Sequence, residues 1–225
     1  MAFRYPATGL YTFDTQAGTD ADAFLYSGPL DTNAVLLYDL NTDRRWCHEV
    51  DATTSQNVGP SSGAGGNPDG YIYIETSSPT AFNDVFHLEK EAVANDGTSI
   101  TYDASNQDIT VSFKTNQRGN DNDTLCELQT NENGAGWVTR ATFGGPSDPD
   151  KVLTSGAQIW SARVVDLTGL ISDASTRIRW QLTLPASGTT WHNDYALDEI
   201  LIEGVDQGAP PPDDSLFAAL MGAAF

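Results

Sequence analysis

The segment Arg177-Ile-Arg-Trp-Gln-Leu-Thr-Leu184 alternates without a break. Ile178, Trp180, Leu182 and Leu184 fall on one side of an extended chain, and Arg177, Arg179 and Gln181 on the other. Successive side chains of a strand point to opposite faces, so the run reads as a strand with one buried and one wet face, the antiparallel pattern. Ile109-Thr-Val-Ser-Phe113 repeats it, with Ile109, Val111 and Phe113 on one face. Further strands are predicted over Ala34–Leu40, Tyr71–Glu75, Leu125–Gln129, Trp137–Phe143, Ile159–Val165 and Tyr195–Ile202. The last is apolar on both faces, which predicts a central strand.

Between these runs the chain is dense in Gly, Asp, Asn, Ser and Thr, with no long helical periodicity and no internal repeat. Short strands separated by turn residues predict an all-β, antiparallel two-sheet jelly-roll sandwich. Asp51–Gly70 and Phe143–Gly156 are long turn-rich stretches and read as surface loops. The chain has 225 residues, 39% of them hydrophobic and 10% aromatic, which suffices for one well-filled core and excludes disorder of the whole.

The domain is expected to span residues 1–205. Residues 206–212 hold three prolines and read as an extended linker. Residues 213–225 then read as a short helix capped by Asp213, Asp214 or Ser215. Leu216, Phe217, Leu220 and Met221 form its apolar stripe, and Phe225 closes the chain. So short a helix is marginal alone in water, so it is expected to dock on its own domain, on a second copy or on another protein.

The formal net charge of −20 repels phosphate backbones and anionic lipid headgroups, which makes nucleic acid and acidic membranes poor partners. Cations, cationic patches and neutral sugars suit it better. The dispersed acids also serve plain solubility. No apolar run approaches the length of a membrane span. The start, Met-Ala-Phe-Arg-Tyr-Pro, lacks a basic region followed by an apolar stretch, so no signal peptide is expected and synthesis is placed in the cytoplasm. Cys47 and Cys126 are too few for a disulfide framework or a zinc site; they read either as a pair or as two buried thiols.

None of the three histidines, His48, His87 and His192, sits in a nucleophile or metal motif. The Gly59–Gly70 stretch lacks the lysine and following helix of a phosphate cradle. The compact Glu-x-Asp-x-x-Glu strand motif of jelly-roll glucanases is absent. A structural cation, calcium above all, is the more credible ligand, since hard cations take oxygen donors. Asp198 stands in an otherwise apolar strand, where a carboxylate is costly unless paired or metal-bound. Asp14 can join it if the first strand lies beside the last, and Asp51 can contribute from the loop that follows it. The alternatives are that Asp198 accepts backbone hydrogen bonds or points outward. Asn120–Asp123 is a weaker calcium candidate that a hairpin turn explains. Of the tryptophans, Trp180, Trp137 and Trp160 read as core. Trp191, beside His192 in a loop, is the candidate wet aromatic for a sugar, although a core-edge position also accounts for it.

Taken in order, several of these pieces resemble the MAM-type domains of the concanavalin A-like jelly-roll group. Phe13-Asp14 resembles the opening Phe-Glu, and Trp46 the early tryptophan. Val58-Gly-Pro60 followed by Gly70-Tyr-Ile-Tyr-Ile-Glu75 resembles the Gly-Pro loop and the strand after it. Ile109–Phe113, Trp160–Leu167 and the closing Tyr195-Ala-Leu-Asp-Glu-Ile-Leu-Ile202 resemble three further strands. The resemblance implies an interaction module without catalysis, with a cation near Asp14 and Asp198. The usual four cysteines and the Asp-His-Thr of the Gly-Pro loop are missing.

Three functional readings follow. The leading one is a non-enzymatic structural or adhesion module of a larger assembly, a bacteriophage virion above all (head decoration, tail or receptor-binding component), docked through the C-terminal tail. The second is a carbohydrate-binding jelly-roll module that takes a cell-surface glycan. The third is a jelly-roll glycoside hydrolase or lyase.

Overall fold

The computed structural model describes residues 3–5, 11–13, 24–28, 31–34, 45–50, 52–53, 59–66, 69–76, 82–90, 107–118, 123–151, 159–172, 175–188 and 193–206. These form strands only: β1 Phe3–Tyr5, β2 Phe24–Gly28, β3 Asp31–Ala34, β4 Arg45–Glu49, β5 Tyr71–Glu75, β6 Val85–Lys90, β7 Gln107–Gln117, β8 Leu125–Glu132, β9 Trp137–Gly144, β10 Ser161–Asp166, β11 Thr176–Thr183 and β12 Tyr195–Asp206. One sheet runs β10-β7-β12-β5-β4 with β1 also on β12, and the other runs β3-β2-β6-β11-β8-β9.

All strand pairs are antiparallel, and four of them are nested: β8 with β9, β7 with β10, β6 with β11 and β5 with β12. A long hairpin wrapped around a barrel-like core gives that nesting. The wrap closes with β7 beside β12 and β8 beside β11. Strands β5–β12 are therefore a complete jelly roll, and β1–β4 widen its two sheets. The antiparallel two-sheet expectation holds. The expected tail helix lies outside the described residues, as do all of 207–225.

The inward faces interlock as the alternation requires. Ile178, Trp180 and Leu182 of β11 meet Phe86 and Leu88 of β6, Ile109, Val111 and Phe113 of β7, and Tyr195, Leu197, Ile200 and Ile202 of β12. Phe24 and Phe113 stand edge-on to the Trp180 ring, with centroids 6.1 and 5.6 Å away. β12 is central, as expected. β7 runs along one side of it, and β5, Tyr11 and β1 share the other, at Tyr195–Leu197, Ile200 and Ile202–Gly204.

A second, smaller apolar layer lies on the outer face of the first sheet. Cys47, Tyr71, Tyr73 and Ala196 are buried there with Trp160 packed on them, and Trp160 Nε1 donates to the Ser62 carbonyl at 3.1 Å. The Gly59–Gly66 loop thus folds down onto the sheet. Gly70 ends this stretch for a steric reason, because a Cβ there would stand 2.1 Å from the Phe13 carbonyl oxygen.

Two expectations for tryptophans need correction. Trp160 belongs to this outer layer and not to the core between the sheets. Trp137 stands half-buried on the outward face of the second sheet, stacked by arginines. Of the expected Ala34–Leu40 strand only Ala34 is described, and it ends β3. Cys47 and Cys126 are both free and buried, the first in the outer layer and the second in the main core.

Candidate functional site

The outward face of the second sheet collects the polar half of each alternating strand. β6 contributes His87 and Glu89, β11 contributes Arg177, Arg179 and Gln181, and β8 contributes Glu127, Gln129 and Asn131. Thr139 and Trp137 of β9 pair with Gln129 and Asn131. These residues share a face because cross-strand partners in an antiparallel sheet point the same way.

They form one hydrogen-bonded network. Gln129 Oε1 accepts from Arg179 Nε at 2.8 Å, and its amide nitrogen donates to Glu127 at 3.3 Å and to Thr139 at 3.3 Å. Gln181 is used the same way: Oε1 accepts from Arg179 Nη2 at 3.4 Å, and the nitrogen donates to Glu127 at 2.9 Å. Each glutamine therefore bridges the guanidinium to the carboxylate, which fixes both amide orientations. Thr139 Oγ1 donates to the other Glu127 oxygen at 3.0 Å, and His87 Nε2 lies 3.1 Å from Gln181 Oε1. Burial, then the neighbouring Arg179 guanidinium, holds the His87 imidazole below its ordinary value of 6.5, with only partial relief from Gln181.

At the β9 side, Arg179 Cζ lies 4.0 Å and Arg177 Cζ 5.4 Å from the centre of the Trp137 ring. Arg177 also holds Glu89 through Nε at 2.6 Å and through Nη2. The result is a fixed polar and aromatic surface on a strand scaffold, with its rotamers set by neighbours.

Asp198, the described member of the expected cation set, sits elsewhere, on the outer face of the first sheet beneath the Gly59–Gly66 loop. It is 1% exposed. Its two oxygens accept the Ala64 N–H at 2.8 Å and the Glu199 N–H at 2.7 Å. Backbone acceptance, one of the alternatives the sequence left open, is thus its observed role. The β7–β12 register shifts just after it, and Glu199 takes a left-handed φ of 49°. Tyr11 bridges Ile200, so the N-terminal segment does run beside β12, as the cation expectation requires. Asp14 and Asp51 lie outside the described residues, as do Trp191 and His192 and the docking set Leu216, Phe217, Leu220, Met221 and Phe225.

His48 is buried and its Nε2 lies 2.6 Å from the Phe13 carbonyl oxygen, a structural contact. A cavity of about 260 Å³ opens beside Phe143, Asp148, Pro149 and Arg163. Its charged groups are already paired: Arg163 donates to Thr115 at 3.0 Å, to Asp150 at 2.6 Å and to Asp148 at 2.9 Å. Burial opposes ionisation of Asp148, but the Asp150 and Gly144 N–H groups and Arg163 outweigh it and hold the carboxyl below its ordinary 3.8. This clamp anchors the loop after β9.

No protein-family model matches the chain, and no curated protein matches it in sequence. Among solved structures it is similar to a cyclase from Fischerella sp. TAU, with 9% identity, 83% of this chain and 86% of that chain covered, and a TM-score of 0.44. It is similar to the enzymatically active domain of bacteriophage CBA120 tailspike protein 4, with 10% identity, TM-score 0.43 and 88% of this chain covered, which spans 21% of that chain. The CBM22-1 xylan-binding domain of Paenibacillus barcinonensis Xyn10C gives 10% identity, 93% and 95% coverage, and a TM-score of 0.39. Likenesses this distant carry no functional argument.

Proposed function

We propose that this chain is a non-catalytic jelly-roll recognition module, MAM-like in the order of its motifs, that serves adhesion within a larger assembly. The outward face of its second sheet is the working surface. The observation that supports this is the double glutamine bridge between Arg179 and Glu127 beside Trp137. A surface that only had to be wet needs no amides locked in register; a surface that reads a partner gains from it, because less rotamer entropy is lost on binding.

The two carboxylates of the face support a role in binding over one in hydrolysis. Glu127 has both oxygens engaged by side-chain donors, and Glu89 is held by Arg177. Acid–base chemistry asks for a carboxyl that can reach a reacting proton. The virion assignment and docking through the tail rest on the sequence: an apolar stripe follows a proline linker. A bound calcium ion near Asp198 is part of the same MAM-like reading.

The test is binding of the labelled full-length protein to bacterial cells and immobilised polysaccharides. A variant carrying Trp137→Ala, Arg179→Met and Gln181→Leu serves as control. Loss of binding with an unchanged circular dichroism spectrum is the expected outcome. Undiminished binding would place the working surface elsewhere. Release of reducing ends from any of these polysaccharides would overturn the non-catalytic assignment.

A further inference from the structure

We propose that the ligand of the outward face of the second sheet is a neutral glycan chain, an inference that rests on that face being the working surface. Charge comes first. Arg177 and Arg179 stand against Glu89 and Glu127, so the face is balanced within a chain of net charge −20. A polyanion meets no surplus of positive charge there and is repelled by the surroundings. A polycation is attracted to the acidic surface at large and has no reason to select this patch.

The hydrogen-bonding capacity that the network leaves over points the same way. Arg177 uses Nε and Nη2 on Glu89 Oε1, and Arg179 uses Nε and Nη2 on the two glutamines. The Nη1 of each guanidinium and Oε2 of Glu89 make no protein hydrogen bond among the described residues. Glu89 pairs with Arg179 in register, so donors and an acceptor are left over side by side on neighbouring strands. A hydroxyl both donates and accepts, and two vicinal hydroxyls match that set. A carboxylate, sulfate or phosphate can use the donors but meets the Glu89 oxygen as a like charge.

Trp137 adds the third element. Its half-buried ring, with the Arg179 guanidinium stacked 4.0 Å from the centroid, gives an apolar border suited to the C–H face of a pyranose. The strand surface is extended, so a chain of sugars fits it better than a compact ligand does.

Calorimetric titration of the full-length protein settles the point. One panel holds soluble neutral polysaccharides (xylan, mixed-linkage glucan, galactomannan), and the other holds acidic ones (alginate, carrageenan). The expected result is binding to at least one neutral polymer and to neither acidic one. Affinity should change less than about twofold between 50 and 300 mM salt, since no counterions are released. It should fall at least tenfold in Trp137→Ala and in the isosteric Glu89→Gln, which keeps the fold where truncation does not. Preferential, salt-sensitive binding of an acidic polymer, lost in Arg179→Met, would overturn neutrality and keep the face. Binding that survives all three substitutions, or no binding by any polymer, would overturn both.

Discussion

A carboxylate inside an apolar strand has to be satisfied by something, and Asp198 shows what. Its oxygens take the Ala64 and Glu199 amides, so a residue of the last strand pins a loop far away in the chain. The sequence marks Asp198 as costly and therefore important, and the physics behind that reading is sound. The partner was illegible, because no local pattern says which loop amide will come down onto the sheet. Asp198→Ala should destabilise the fold by about 2–4 kcal/mol, as two buried N–H groups lose charged acceptors. Urea unfolding measures it, and a loss under about 1 kcal/mol would mean that water replaces the carboxylate freely. The cation expectation is checked on the same variants. If calcium binds here, it raises the melting temperature of the native chain and not that of Asp198→Asn. Equal curves with and without calcium leave Asp198 an anchor for backbone alone.

Among the elements, the second sheet separates what alternation reveals from what it hides. β11 alternates strictly, and both its buried face and its polar face are legible residue by residue. β6 alternates equally well in the structure, yet its inward positions are Phe86, Leu88 and Lys90, and two apolar residues among charges are a weak signal. Trp137 was misread because its environment comes from β11, forty positions on, where Arg177 and Arg179 wait for it. The network is a property of register, which a single strand cannot announce. Arg179→Met should lower stability by about 1 kcal/mol or less, since the freed glutamine oxygens can reach water. His87 gives the face a pH dependence. Its folded value lies below 6.5, so beneath that pH the unfolded chain takes up a proton that the folded one resists. The stability held above pH 6.5 is lost as pH falls through the window below it. In His87→Gln this part of the pH profile should flatten, as denaturant midpoints measured from pH 7.5 to 5 will show; an unchanged profile would assign the slope to other groups.

For the whole molecule, the nested pairs β5·β12 to β8·β9 close the jelly roll with β12, which ends at Asp206. Every strand of the core is therefore in place before the proline-rich stretch begins, and the expected boundary at Val205 falls one residue short of the strand's end. Nothing in the core cluster calls on residues 207–225. A chain ending at Asp206 should then unfold at the same urea concentration as the full chain, within about 0.5 kcal/mol. Association is a different matter. A field of −20 opposes self-contact, so any oligomer needs an apolar device to overcome it. Leu216, Phe217, Leu220, Met221 and Phe225 form the one such cluster that the sequence places after the fold is complete. If they are the docking device, light scattering should give the full chain a multiple of the monomer mass. That multiple should grow as salt screens the repulsion, and the chain ending at Asp206 should give a monomer at every salt concentration. A full chain that is monomeric throughout would remove self-assembly from the reading and leave the tail to a different protein. Equal multiples from both chains would move the interface onto the jelly roll itself, where exposed Val164 on the edge strand β10 is the first position to charge.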